Sequence, residues 1–212
     1  EVIRLSGMNI VINDVDRPLV IKVASISAAR MQVYFIDNED YFHRKQVYCD
    51  ENGEFFKDNG ERAIFFARGV LETVKKLRWA PDIIHCQGWI SQVLPLYLKK
   101  VYVDDPIFSN SKVVLSVYDD TPAVNFPEDF KDKILIPGIT EKDVEILSDP
   151  SGINLAKLAA EYSDGVIYGS ADIPEEIVAF CKEKGLPAIE YNKEALEDGS
   201  YTEEYNSFYD QL

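Results

Sequence analysis

With 212 residues, 46% of them hydrophobic and 12% aromatic, the chain can bury a sizeable core as one large α/β domain or two small ones, which excludes wholesale disorder. Its net charge of −15 repels nucleic acid and anionic membrane alike and leaves a neutral ligand such as a sugar unopposed. Three scattered cysteines and two histidines, with no C-x-x-C pair, argue against a structural zinc site or other bound metal and fit reduced thiols in a cytoplasmic protein, and no apolar run of about 18 residues or signal peptide is visible.

Val2–Asn13, Leu19–Ile26 and Met31–Ile36 are rich in β-branched residues and predict three strands. Residues 13–18 read as the first turn and residues 27–30 as the second connection. Connections this short join only antiparallel neighbours, so residues 1–36 form a β-rich layer, its last strand expected to attach to a parallel sheet. Residues 37–59 form a polar loop rich in aromatics, with Asp37, Asn38, Tyr41 and Arg44 near its start. Long loops inside compact domains are often functional. Rings beside Asp, Asn and Arg suit carbohydrate, whose C–H faces stack while its hydroxyls need donors and acceptors. The same composition also fits an ordinary loop pinned by its aromatics.

Asp58–Leu77 predicts a helix capped by Asp58 or Asn59, with Arg62 and Arg68 expected to pair locally with Glu61 and Glu72. The chain is organised around Arg78–Lys99. Ile83, Ile84, His85 and Cys86 form a buried-type strand, Gln87 and Gly88 a tight turn, and Trp89, Val93, Leu96 and Tyr97 recur at helical spacing. Ligands of open α/β sheets bind beyond the carboxyl ends of the strands, which marks Gln87, Gly88, Trp89 and Ile90. His85, in mid-strand, reads as a buried histidine satisfied by hydrogen bonds, and Cys86 and Cys181 as inert core thiols.

Lys112–Val117 is a second buried-type strand ending in Tyr118, Asp119 and Asp120. Gln87, Trp89 and Tyr118 are expected to meet at neighbouring strand ends, with the Trp89 indole turned toward the crevice floor. Asp119 and Asp120, being adjacent, read as turn residues rather than as a carboxylate pair. Residues 123–150 are irregular. A helix at Ile153–Tyr162, a strand at Asp164–Gly169, a helix running to about Lys184 and ended by Gly185, and a last strand within Pro187–Tyr191 complete the alternation. The acidic tail, 192–212, carries Tyr201, Tyr205, Phe208 and Tyr209 at near-helical spacing, as expected of rings that dock on the domain. Alternating strands and helices make residues 37–191 an α/β core with a right-handed parallel sheet flanked by helices.

Several linked segments resemble one family. D-N-E-D-Y-F-H-R, F-K-D-N-G-E-R-A-I-F-F-A-R-G-V-L-E, W-A-P-D-I-I-H-C-Q-G-W and N-L-A-K-L-A-A-E-Y-S-D-G-V-I-Y-G-S occur in order across most of Met31–Lys184. Together they resemble the N-terminal domain of bacterial glycogen synthases and plant starch synthases. The resemblance implies one Rossmann-like half of a two-domain GT-B architecture, with the C-terminal donor domain absent from this chain. It implies glucose transfer from ADP-glucose to an α-1,4-glucan, with retention at the anomeric carbon and without metal or other cofactor. It adds Asp37, Asn38, Tyr41 and Arg44 as acceptor-side residues beside Gln87, Gly88, Trp89, Tyr118 and Asp119. The family's H-x-H-D-W-H falls on His85–Ile90, so its catalytic histidine is Ile90 here and no catalytic residue is carried over. Its T-x-H-N becomes Ser116, Val117, Tyr118 and Asp119, and its Lys-x-Gly-Gly turn has no counterpart. The expectation is a glucosyltransferase domain inactive on its own; the alternative is a noncatalytic α-glucan-binding or regulatory relative.

Overall fold

The computed structural model describes residues 1–212. Strands β1 (Ile3–Ile12), β2 (Val15–Ile26) and β3 (Met31–Asp37) form an antiparallel sheet in the order β1-β2-β3. The first turn is tighter than residues 13–18. Asn13 and Asp14, at φ 51° and 63°, alone link the paired residues Ile12 and Val15. Positive φ at both central positions is what a two-residue hairpin with native twist requires, and Asn and Asp tolerate it. Pro18 therefore lies inside β2. Its missing N–H costs no ladder bond on the β3 side, because β3 pairs with β2 only from Val20 onward.

The expectation that this layer joins the parallel sheet through its last strand is wrong: β3 ends in its own sheet. What joins the two is a helix. Ile10, Ile12, Leu19 and Ile21 are buried and form one core with Ala63, Ile64, Ala67 and Leu71 of α2 (Asn59–Leu77), which comes after the short helix α1 (Glu39–Phe42). Gly69 lets the sheet approach, since a Cβ there would sit 2.7 Å from Ile36 Cγ2.

The arginines of α2 do not pair with Glu61 and Glu72. Arg62, 4% exposed, donates to the Tyr41 carbonyl (2.9 Å), the Val47 carbonyl (2.8 Å) and Asn59 Oδ1 (2.6 Å). It staples the 37–58 loop to the helix, and Arg68 donates to the Val11 carbonyl. Glu61 and Glu72 instead take Lys133 (2.8 Å) and Tyr102 as partners. Asp58 occupies the N-cap position without capping, because its carboxylate is held by Arg44.

The second sheet is parallel, with β4 (Ile83–Gln87), β5 (Lys112–Val117), β6 (Gly165–Tyr168) and β7 (Ala188–Ile189) in that order. One face, Cys86, Val113, Leu115, Val117, Val166 and Tyr168, belongs to the main core. That core also draws on α3 (Leu94–Lys100), α4 (Phe130–Ile134), α5 (Gly152–Glu161) and α6 (Glu175–Glu183). Ser151 caps α5 by accepting from the Asn154 N–H at 3.1 Å. The other face, with Val114, Ile167 and Ile189, is covered by the tail. After α7 (Lys193–Asp198), α8 (Tyr201–Gln211) lays Phe208 against these residues. The tail rings dock, as their spacing predicts. No helix is long and apolar enough to cross a membrane.

Candidate functional site

Three strand ends and the turns that follow them meet at the carboxyl edge of the parallel sheet. From β4 come Gln87, exposed, and Gly88, whose φ of 80° turns the chain sharply away from the sheet. From β5 come Tyr118, half-buried, and the exposed Asp119 and Asp120. From β6 come Gly169 and Ser170. The turns are tied to one another. Asp120 Oδ2 accepts from the Trp89 N–H at 3.0 Å, and the Ser91 hydroxyl donates to the Gly88 carbonyl at 2.7 Å. The Asp119 N–H donates to Ser170 Oγ at 3.2 Å, and the Tyr118 hydroxyl reaches Gln87 Oε1 at 3.4 Å. A Cβ on Gly169 would lie 2.3 Å from Tyr118 Cε1, so the ring rests where only glycine leaves room.

Below the rim, His85 and Ser116 share the face of Gln87 and Tyr118, two residues before each. His85 is satisfied as its mid-strand position predicts: Nε2 lies 2.6 Å from Ser116 Oγ and Nδ1 2.7 Å from the Tyr209 hydroxyl. Burial pushes its pKa down. On the opposite face, burial pushes the Cys86 thiol up to about 12, so it is protonated at neutral pH and unreactive. Cys181 is likewise buried, with its thiol shifted upward for the same reason.

Trp89 is the main correction. Its indole is 1% exposed and turned into the core, not toward the crevice. Tyr48, Phe55 and Phe126 surround it at ring-centroid distances of 4.9, 5.5 and 5.7 Å. The helical spacing assigned to Trp89, Val93, Leu96 and Tyr97 misplaces it, because residues 89–91 form a tight 3-10 turn and α3 begins only at Leu94. Trp89 thus contributes its backbone N–H to the site and its ring to the fold.

The second group of sequence candidates is held within the loop and its neighbours. Asn38, 3% exposed, caps α1: its Oδ1 accepts from the Tyr41 N–H at 2.9 Å and its Nδ2 donates to the Pro18 carbonyl at 2.8 Å. Tyr41 is 2% exposed and donates to Glu61 Oε2 at 2.8 Å. Neither side chain is open to a ligand. Asp37 takes Lys22 at 2.7 Å and His43 at 3.0 Å; burial would raise its carboxyl, but these partners outweigh that and hold it below the ordinary range. Arg44 grips Asp58 with both nitrogens and stacks 4.7 Å from the Phe56 ring. No hydrogen bond or ring contact links these four to Gln87, Tyr118 or Asp119.

The structure therefore brings together Gln87, Gly88, Tyr118 and Asp119 and adds two residues that sequence reasoning leaves out of the site. Asp120 reads as a turn residue, which it is, yet its carboxylate ties the β4 turn to the β5 turn. Ser170 is legible in the sequence only as a helix cap; its place directly after a strand is the signal that could have found it. The hydrogen bonds among these residues involve carboxylates, hydroxyls, an amide and backbone, with no lysine or arginine. Such a set accepts from hydroxyls and stacks on a ring face; it does not neutralise a phosphate.

Residues 2–189 match the family described as the starch synthase catalytic domain. A glycogen synthase of Chlorobium limicola is 35% identical over 179 residues, covering 84% of this chain and 36% of the relative. One from Chlorobaculum tepidum is 32% identical over 219 residues, covering 100% of this chain and 44% of the relative. The solved catalytic domain of starch synthase IV from Arabidopsis thaliana, bound to ADP and acarbose, aligns with a TM-score of 0.69 at 15% identity, over 90% of this chain and 40% of that one. At that identity the likeness shows the fold. The chain spans less than half the length of each of these relatives.

Proposed function

The chain belongs to the starch synthase catalytic-domain family, and from that premise we propose that it is the acceptor-side half of a glucosyltransferase. The complete enzyme would move glucose from ADP-glucose to the nonreducing end of an α-1,4-glucan. This half would hold the glucan where β4 and β5 end. The single observation that carries the reading is the residue cluster itself: Gln87, Tyr118, Asp119 and Asp120 stand at adjoining strand ends, reaching solvent and without a cation among them. Carboxylate and amide oxygens would take the sugar hydroxyls, and the Tyr118 ring would meet a C–H face.

The same chemistry sets a limit. Transfer in this class needs positive groups at the leaving diphosphate and precise placement of both reactants. None of the clustered residues is a lysine or arginine, and the position the family resemblance gives to a histidine is Ile90, which cannot hydrogen-bond a hydroxyl. Binding by this half and chemistry by the whole is the division we propose. The Ile90 position specifically favours the second reading, a glucan-binding relative without transfer activity. Three free cysteines, two of them buried, fit a reducing cytoplasmic setting for either.

The test is a nuclear magnetic resonance titration of the labelled chain with maltopentaose and, separately, with ADP. The proposal expects maltopentaose to shift the amides of Gln87, Gly88, Tyr118 and Asp119 and ADP to leave them in place. Shifts confined to the 37–58 loop, or none at all, would overturn it.

A further inference from the structure

The tail beyond residue 189 lies outside the family match, and its last helix packs on the sheet face that carries His85 and Ser116, the face from which Gln87 and Tyr118 project two residues further on. Helix α8 covers the second face of the parallel sheet, with Tyr205, Tyr209 and Leu212 packed there partly buried. Phe208 is its one buried residue, seated on Val114, Ile167 and Ile189. Gly165 makes that seat possible, since a Cβ there would lie 2.8 Å from the Phe208 ring. The polar anchor is the bond of the Tyr209 hydroxyl to His85, which in turn meets Ser116. The Tyr205 and Tyr209 rings flank His85 at 6.0 and 5.9 Å, edge to face. Both phenols are pushed up, first by burial and then by Tyr118, which shares its strand face with Ser116 on the side that α8 covers.

We infer that α8 is a detachable cover of the sheet face beside the strand-end cluster, latched through Tyr209, His85 and Ser116, and released when His85 takes up a second proton. In the neutral imidazole one nitrogen donates and the other accepts, and the two hydroxyls complement either arrangement. As imidazolium both nitrogens donate. The hydroxyls can still accept, but no opposite charge compensates the lost hydration. The groups facing His85 are Ser116 from β5 and Tyr205 and Tyr209 from α8, with Tyr118 next to both tyrosines. Glu203, Glu204 and Asp210 of α8 are exposed, and none of them is bonded to the imidazole.

The direction is set by linkage. The docked histidine lies below its ordinary 6.5, and the undocked one returns to it. Above pH 6.5 both forms are neutral and docking is at full strength. As the pH falls from 6.5 toward the docked value, the undocked form gains its proton first and docking weakens, by at most about tenfold per pH unit. Below the docked value the loss levels off.

Hydrogen exchange of the full chain between pH 7.5 and 5, corrected for intrinsic exchange, tests this. Opening of residues 201–211 should rise by up to about tenfold per unit below pH 6.5 while β5 stays protected. His85→Gln, which keeps a donor and an acceptor but cannot titrate, should abolish the rise. Tyr209→Phe, which removes only the hydroxyl, should raise opening at every pH. A wild-type tail indifferent to pH, a rise that survives in His85→Gln, or opening unchanged in Tyr209→Phe would overturn the inference. Its consequence for ligand rests on the glucan reading: maltopentaose affinity should fall as α8 opens. If α8 opens as described and maltopentaose binds at no pH, the latch stands and the glucan reading fails.

Discussion

Replacing Trp89 separates packing from ligand contact. The indole is 1% exposed, and a fully buried tryptophan hides about 150–250 Å². At about 25 cal/mol per Å², that is roughly 4–6 kcal/mol of apolar burial. Three ring neighbours at 4.9 to 5.7 Å add edge-to-face and tilted contacts, each worth about 0.5–1.5 kcal/mol. Part of this returns on truncation as the site relaxes, so Trp89→Ala should destabilise by about 3–5 kcal/mol. For a chain of this size that lowers Tm by roughly 6–20 °C. The same cavity would loosen Tyr48, Phe55 and Phe126 together, so the milder Trp89→Phe is the variant for binding. It should keep maltopentaose affinity within about twofold, since its backbone N–H to Asp120 is unchanged. Thermal unfolding followed by far-ultraviolet circular dichroism, which needs no tryptophan, measures the first effect in wild type and variant alike, and calorimetric titration the second. A Trp89→Phe chain with wild-type Tm and no glucan affinity would refute the reasoning and return the indole to the crevice.

Three further outcomes rest on other contacts. Gly169→Ala should move the Tyr118 ring, 2.3 Å from the new Cβ, and weaken maltopentaose binding at least fivefold with the Tyr118 side chain itself intact; unchanged affinity in a folded variant would remove Tyr118 from the site. Burial would raise the Glu61 carboxyl, but Lys133, Tyr41 and Arg17 outweigh it and hold it below its ordinary 4.5. Its contribution is therefore present above pH 4.5 and lost as the pH falls through the lowered value, so Glu61→Gln should flatten the fall in stability below pH 4.5 and lower stability at pH 7; an unchanged acid limb in denaturant titrations would contradict this. Ile90→His in this chain should yield no glucose transfer from ADP-glucose to glycogen in a radiolabel assay, because the cations for the leaving diphosphate are still missing, and measurable turnover would refute that account.

The parts of the fold legible in the sequence are those fixed by local pattern. The non-alternating, mostly apolar runs of β4 and β5 and the helical stripe of α2 stand where the sequence pattern puts them, because both depend on neighbours along the chain. The strand-end positions of Gln87, Gly88, Tyr118 and Asp119 are legible for a similar reason: a strand leading into a polar turn locates a carboxyl end whatever surrounds it. Trp89 escapes such reading because its direction depends on Phe126, 37 positions away, and on a 3-10 turn that mimics helical spacing over one step. Asn38 and Tyr41 carry the right chemistry for a sugar, but their partners Pro18 and Glu61 lie 20 positions away on either side. The arginines of α2 mislead likewise, since, apart from Asn59 Oδ1, their acceptors are backbone carbonyls, which every residue carries and no sequence pattern marks.

The account stands on sugar binding at the joined ends of β4 and β5. Its most direct measurement is calorimetric titration of maltopentaose into the wild-type chain and into Gln87→Ala and Tyr118→Ala at pH 7.5. It predicts saturable binding by the wild type, lost or weakened at least tenfold in both variants at unchanged Tm. Wild-type binding that neither substitution disturbs, or no binding by a folded wild-type chain, would contradict it.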